Sequence, residues 1–184
     1  MSAENWGALV LVLLAAGLVC AVAAWAAAAA RRIWAPAGLL LLLAAGIVAA
    51  APPEVQVEGR GLLTVLGLLG GALATAGGGP LTALVFDLVD RREVPQESMR
   101  TAGRVLRGGA WIGALERLAI FAALVAGWPE GLAVVLAVKG LGRYPELRAA
   151  EDGVRTGAAE RFIIGTFTSV LWSCGCAGVV LLAR

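Results

Sequence analysis

Long apolar runs, separated by short segments that carry charge and proline, constrain the fold of this chain more than any other feature. A helix needs about 20 mainly apolar residues to cross the hydrocarbon core of a bilayer. Six runs reach or approach that length, at residues 6–30, 33–51, 61–87, 108–127, 131–146 and 162–183. The sequence therefore predicts an all-α integral membrane protein, with about six transmembrane helices in one bundle and residues 1–184 forming a single domain.

The composition agrees with a lipid environment. Hydrophobic residues make up 60% of the chain and charged residues only 15%, whereas soluble domains are about a quarter charged. The net charge of +2 is too small to indicate a nucleic-acid partner. Histidine is absent, which removes the commonest metal ligand and a proton relay that works near neutral pH. Because Cys20, Cys174 and Cys176 all lie within apolar runs, we expect small hydrophobic residues there, no metal site and no cofactor.

Lysine and arginine are distributed unevenly over the breaks between these runs. The first break holds Arg31 and Arg32, the third holds five arginines and the fifth holds three, whereas the second holds only Arg60 and the fourth holds none. The positive-inside rule requires this alternation of a protein that crosses the membrane six times. It predicts that both termini lie outside and that the two long loops lie inside. Since the Ala-, Gly-, Val- and Arg-rich composition is typical of bacterial proteins, we expect the bacterial cytoplasmic (inner) membrane.

The third run is longer than one crossing requires. As an unbroken helix, residues 61–89 would extend for about 43 Å, against a hydrocarbon core of about 30 Å. The run contains Gly77, Gly78 and Gly79 followed by Pro80, and these residues weaken a helix and remove a backbone donor. We expect a third helix that is either long or broken at residues 77–80. If it is broken, Pro80 begins a short second helix, or the helix ends near Gly79 and is followed by an interfacial helix.

Four ionisable residues lie within the predicted fourth and fifth helices: Glu116, Arg117, Lys139 and Arg143. Charges inside a span are costly and are candidates for functional residues. Glu116 and Lys139 lie at similar distances from the turn between these helices, which predicts an ion pair. The cations then outnumber this carboxylate, and Asp87 of the third helix is the obvious acid to balance them. Two interpretations stay open: a satisfied internal network with Arg143 extending to the inner interface, or a site for an anion, a lipid phosphate or a permeating ion.

Small residues recur at four-residue spacing in two of the predicted helices. Such a stripe lets a neighbouring backbone approach closely. The sixth helix carries Gly165, Ser169 and Ser173, and the fourth carries Gly109 and Gly113. We therefore expect close helix packing along both stripes.

Three blocks in the second half of the chain resemble a group of known sequences. They are GAWIGALER at 109–117, VKGLGRYPELR at 138–148 and ERFIIGTFTS at 160–169. Together they are similar to the C-terminal half of small uncharacterised bacterial multi-pass membrane proteins, a group with no assigned activity. The resemblance implies a helical membrane fold, and it groups Glu116, Lys139, Arg143 and Thr166 as one set.

Three functions are compatible with these features. The first is a small channel, transporter or transport subunit with a charged site inside the membrane. The second is a protein that binds or modifies a lipid headgroup at the inner face, although no catalytic signature is present, which favours a non-enzymatic role. The third is an accessory subunit that binds another membrane protein or a second copy of this chain. The candidate binding residues are Asp87, Glu116, Arg117, Lys139, Arg143, Thr166 and Ser169.

Overall fold

The computed structural model describes residues 3–50, 57, 59–90, 109–149 and 152–184. Within these ranges every element of regular secondary structure is an α-helix, which confirms the predicted all-α class. An α-helix suits a backbone in lipid because it satisfies its own polar groups internally. Numbered α1 to α6 in chain order, the helices are Ala3–Ala23, Ala28–Ala50, Arg60–Asp90, Gly109–Val125, Gly131–Ala149 and Asp152–Leu182.

Four of the described helices are long and apolar enough to cross a membrane. The qualifying segments belong to α1, α2, α3 and α6 and are Asn5–Ala23, Ala28–Ala50, Arg60–Val89 and Ala159–Leu182. With 17 residues, α4 is about 26 Å long, slightly less than the hydrocarbon core. Because α5 contains Lys139 and Arg143, it is more polar than the others. The four apolar helices fit a membrane protein, and crossing by α4 and α5 stays a prediction.

Large apolar side chains cover much of the outside of the molecule. Ile47, Leu68, Trp111 and Leu141, from four different helices, each expose between 68% and 79% of their surface. Exposing so much apolar surface to water is costly, at about 25 cal/mol per Å², whereas lipid tails are as apolar as these side chains. The surface therefore agrees with a lipid environment.

The interior is centred on α3 and α6. Val10 and Leu14 of α1, Leu66 and Leu73 of α3 and Cys176 of α6 are fully buried in one apolar core. α6 packs against α2, α3 and α4, whereas α5 contacts only α4 and α6 among the described helices. The hairpin of α4 and α5 thus lies at the edge of the bundle, with α4 on its inner side.

The first connection between helices lies earlier than the sequence predicted. α1 ends at Ala23 and α2 begins at Ala28, so Arg31 and Arg32 lie inside α2 and not between two helices. Residues 26–30 are all alanine, the best helix former, and nothing local prevents a helix from beginning before the arginines. The early beginning carries Arg31 alongside the end of α3.

Of the alternatives for the third helix, the long helix is confirmed and the break is wrong, because α3 continues through Pro80. Proline has no N–H with which to bond the carbonyl four residues earlier, which is that of Ala76. The indole Nε1 of Trp25 donates a hydrogen bond to the Ala76 carbonyl oxygen at 3.0 Å. A side chain from the connection between α1 and α2 therefore replaces the missing backbone donor, and the helix neither breaks nor ends near Gly79.

The glycines before Pro80 serve close packing. A Cβ atom added at Gly77 would lie 2.3 Å from the side chain of Trp172, and one added at Gly78 would lie 2.3 Å from Cδ of Arg117. Real Cβ atoms do not approach other atoms so closely. α3 thus needs glycine at these positions because two large side chains lie directly against its backbone.

Candidate functional site

Glu116 of α4 and Lys139 of α5 form an ion pair, as predicted from their distances to the turn. The two side chains are 13% and 18% exposed. Nζ of Lys139 also lies 5.9 Å from the ring centre of Phe162 in α6, within the range of a cation–π contact. The pair therefore joins α4 to α5 and brings the lysine against α6.

Arg117 is the most deeply buried charged side chain in the part of the chain that the structure describes, with 4% of its surface exposed. Its Nε and Nη2 both donate to the carbonyl oxygen of Thr75 in α3, at 3.1 and 2.8 Å. Nη1 donates to Oγ of Ser169 in α6 at 3.4 Å, which is long for a hydrogen bond. Within the described residues no carboxylate forms an ion pair with Arg117. Its hydrogen bonds all go to neutral oxygens, and the adjacent Glu116 adds an electrostatic attraction without forming an ion pair. Burying the charge is therefore costly in a low-dielectric interior.

One face of α6 meets both cations. Ser169 contacts Arg117 and Phe162 contacts Lys139. Thr166 lies three residues before Ser169 and four after Phe162, so the three side chains share a helix face. Oγ1 of Thr166 is buried and has no hydrogen-bond partner among the described residues. An unsatisfied buried hydroxyl is thus positioned between the contacts of the two cations.

The predicted role of Asp87 is wrong. Its Oδ2 accepts a hydrogen bond from Nη2 of Arg31 at 2.9 Å, in a partly exposed ion pair between α3 and α2. The sequence-based prediction assigned Asp87 to the cations of α4 and α5 and did not consider Arg31, which it placed between the first two helices. Asp87 therefore does not balance the cations of α4 and α5. Arg143, one turn beyond Lys139, is partly buried and makes an interaction of its own.

Three carbonyl oxygens of α3 accept hydrogen bonds from side chains of other elements. Nε1 of Trp172 donates to Leu73 at 3.0 Å, Arg117 donates to Thr75, and Trp25 donates to Ala76. We call these three carbonyls the α3 acceptor segment. Sequence reasoning missed both tryptophans. Trp25 lies near the end of a predicted span, where tryptophan is typical of an aromatic belt, and Trp172 lies within the apolar run 162–183 without a local sign of its partner. The signal was the glycine stretch, which indicates close approach as readily as a break.

The two small-residue stripes behave differently. A Cβ added at Gly165 would lie 2.9 Å from the Phe86 ring of α3, and Ser169 and Ser173 are buried, so close packing along α6 is confirmed. On α4, a Cβ at Gly109 would meet nothing within 4 Å, and one at Gly113 would meet only Nη1 of Arg117 from the same helix. The prediction of close packing there is wrong for the described residues.

Binding of a lipid headgroup at the inner face would use a ring of arginines from the ends of the helices and the two long loops, and most of this ring lies outside the residues whose side chains the structure describes. This applies to Arg91, Arg92, Arg104, Arg107 and Arg148. Among the described residues, no group of three or more acidic or cysteine side chains is arranged to hold a metal ion.

The geometry defines an all-α protein with four described helices long and apolar enough to cross a membrane. Its charged side chains cluster where α4 and α6 meet the middle of α3 and where α5 joins α4 and α6. The chain matches no protein-family model, no curated protein and no solved structure.

Proposed function

We propose that this chain is a small membrane transport protein, a channel, transporter or transport subunit, in the bacterial cytoplasmic membrane. Its polar centre consists of Glu116, Arg117, Lys139, Thr166 and Ser169. The observation that carries the proposal is Arg117, which is 4% exposed and forms no ion pair with a carboxylate among the described residues. Charges within a membrane bundle are rare because they are costly, and they usually mark a path for an ion or substrate.

The position of the charges supports transport over a purely structural role. A structural network would neutralise its charges, as Arg31 and Asp87 do. In the polar centre, by contrast, the carboxylate of Glu116 pairs with Lys139, and the positive charge of Arg117 remains in excess. The residual positive charge is stabilised when an anion or a negatively charged substrate group enters between the helices.

The test is solute flux through purified protein in liposomes. Vesicles are loaded in turn with potassium chloride, potassium phosphate, potassium gluconate and uncharged sugars, and efflux is followed after dilution. We expect wild-type protein to pass at least one solute, and Glu116→Gln and Lys139→Gln to lower that flux about tenfold or more, because each leaves its former partner unpaired. Glu130→Gln, a matched change in the exposed turn between α4 and α5, is the control.

Two outcomes would reject the transport proposal. One is wild-type protein that passes none of these solutes in either orientation. The other is flux that stays at the wild-type rate in both variants while circular dichroism and size-exclusion profiles show that they are folded.

An accessory subunit is the second candidate, and the edge position of α5 favours it. Among the described helices α5 contacts only α4 and α6, and Val134, Val138 and Leu141 expose between 50% and 73% of their surface. Such a face suits either lipid or a helix of another protein. Affinity capture of this protein from native membranes distinguishes the two candidates. A partner protein that is recovered reproducibly with wild type, is lost with Val138→Trp and is kept with Val12→Trp, in the exposed surface of α1, would favour the accessory role.

A further inference from the structure

We infer that Arg117, Lys139 and Thr166 form a binding site for a small anionic group, such as a halide, inorganic phosphate or the phosphate of a lipid headgroup. The inference rests on the proposed function, because it names the substrate class of the same polar centre. It is carried by the charge balance, the unused donors of Arg117, the hydroxyl of Thr166 and the space beside Gly113.

The charge balance favours an anion. Arg117 and Lys139 both contact the same face of α6, and only Glu116 among the described residues opposes them. Asp87, the other acid of the candidate set, is paired with Arg31. An anion that enters between the cations lowers the electrostatic cost of burying Arg117.

Arg117 has donors to spare. A guanidinium carries five N–H groups, and Arg117 uses three hydrogen bonds, two of them on the single carbonyl of Thr75. Its Nη1 is held only by the 3.4 Å bond to Ser169. This bond is weak enough for an anion to replace it without displacing the arginine from α3.

Thr166 supplies an independent indication. Its Oγ1 is buried and unpartnered among the described residues, and it lies on the α6 face between the contacts of Arg117 and Lys139. A buried hydroxyl without a partner is costly, and a hydroxyl can donate its proton to an anion. By contrast, Thr168 on the same helix donates to the Ile164 carbonyl at 2.8 Å and is satisfied locally.

Gly113 leaves room at the guanidinium. A Cβ added there would lie 3.1 Å from Nη1 of Arg117, so any side chain would cover the least bonded end of the arginine. Among the described residues, no other helix comes within 4 Å of a Cβ at that position. The absence of a side chain at Gly113 thus leaves the least bonded end of the arginine uncovered at this position.

The experiment measures anion binding apart from flux. Protein in an uncharged maltoside detergent is titrated with sodium chloride or sodium phosphate against sodium gluconate at constant ionic strength, and the thermal unfolding midpoint is followed. We expect a saturable rise with chloride or phosphate. Thr166→Val should weaken the apparent affinity about tenfold or more, since a hydrogen bond to a charged group is lost. Thr166→Ser should bind like wild type, and Thr168→Val is the matched control.

A second arm distinguishes free anions from lipid phosphate. The same titration is made in nanodiscs of phosphatidylcholine with and without phosphatidylglycerol. A midpoint raised by phosphatidylglycerol and insensitive to added phosphate assigns the site to a headgroup, whereas sensitivity to phosphate in both discs assigns it to a free anion. Either result supports the site if Thr166→Val abolishes it.

The inference is overturned if neither salt nor phosphatidylglycerol shifts the midpoint, or if Thr166→Val shifts it as wild type does. It is also overturned if Thr166→Val lowers the midpoint in gluconate while Thr166→Ser does not, because the hydroxyl is then structural. Anion binding without any flux would reject the transport proposal alone, and flux restricted to cations or sugars would reject the anion site alone.

Discussion

At the scale of single residues, the buried charge of Arg117 is costly to remove from water, and the backbone of α3 stabilises it. Arg117 lies against α3, and the absent side chain at Gly78 allows its Cδ to approach the helix. The planar guanidinium then directs two N–H groups at the Thr75 carbonyl and a third at Ser169. One side chain thereby connects α4 with both α3 and α6, so its shape matters as much as its charge.

Arg117→Lys tests whether shape or charge alone is required. An ammonium keeps the charge but has no planar fork to place two donors on one carbonyl and a third on α6. We expect the free energy of unfolding to fall by about 1–3 kcal/mol, the range for lost hydrogen bonds to a charged group. The measurement is reversible unfolding in mixed detergent micelles.

Arg184→Lys is the matched control for this substitution. Nη1 of Arg184 also donates to a carbonyl, that of Val125 at 2.9 Å, but the side chain is exposed. We expect a much smaller change there. Equal losses in the two variants would contradict a special role for the buried fork.

At the scale of the helices, α3 shows how a locally weak segment becomes the centre of a bundle. Its 31 residues include Pro80, and its glycines admit Trp172 and Arg117 to the backbone. The α3 acceptor segment receives donors from three other elements. One of them, Trp25, replaces the backbone donor that proline removes. The same glycine and proline residues that predict a break in an isolated helix therefore allow contacts that join helices in the folded protein.

A double-mutant cycle between Trp25 and Pro80 tests this compensation. Trp25→Phe removes the donor to the Ala76 carbonyl and should cost about 1 kcal/mol. In Pro80→Ala the new alanine supplies a backbone N–H to the same carbonyl, so Trp25→Phe should cost less there. We expect a coupling of at least about 0.5 kcal/mol from the unfolding free energies of the four proteins. Strict additivity would show that the indole does not replace the missing N–H.

The sequence predicts elements and local pairs better than distant partners. The ion pair of Glu116 and Lys139 follows from a tight turn, because the turn fixes the register of α4 on α5. The pair of Arg31 and Asp87 depends on where α2 begins, and the polyalanine segment leaves that point open. The hydrogen bond to the Ala76 carbonyl comes from Trp25, which lies 51 residues away in the chain. No local sequence pattern predicts a contact between residues so far apart.

At the scale of the whole molecule, contacts at the helix ends organise the bundle into two opposite sides. Arg31 pairs with Asp87, so the beginning of α2 lies beside the end of α3. At the other side, Arg184 bonds the Val125 carbonyl, so the ends of α4 and α6 lie together. This arrangement agrees with helices that alternate in direction, and it supports the proposal that α4 and α5 also cross the membrane.

Single cysteines labelled from one side of the membrane test the six-crossing topology. The three native cysteines are replaced by alanine, and Arg32→Cys, Glu130→Cys or Arg184→Cys is introduced at an exposed position. In intact cells a membrane-impermeant maleimide should label Glu130→Cys and Arg184→Cys, because the turn after α4 and the end of α6 lie on one side and the arginine-poor side is expected outside. Arg32→Cys should react only in inside-out vesicles. If Glu130→Cys and Arg32→Cys react from the same side, α4 and α5 do not cross, and the polar centre of Arg117 and Lys139 then lies at the interface and not within the membrane.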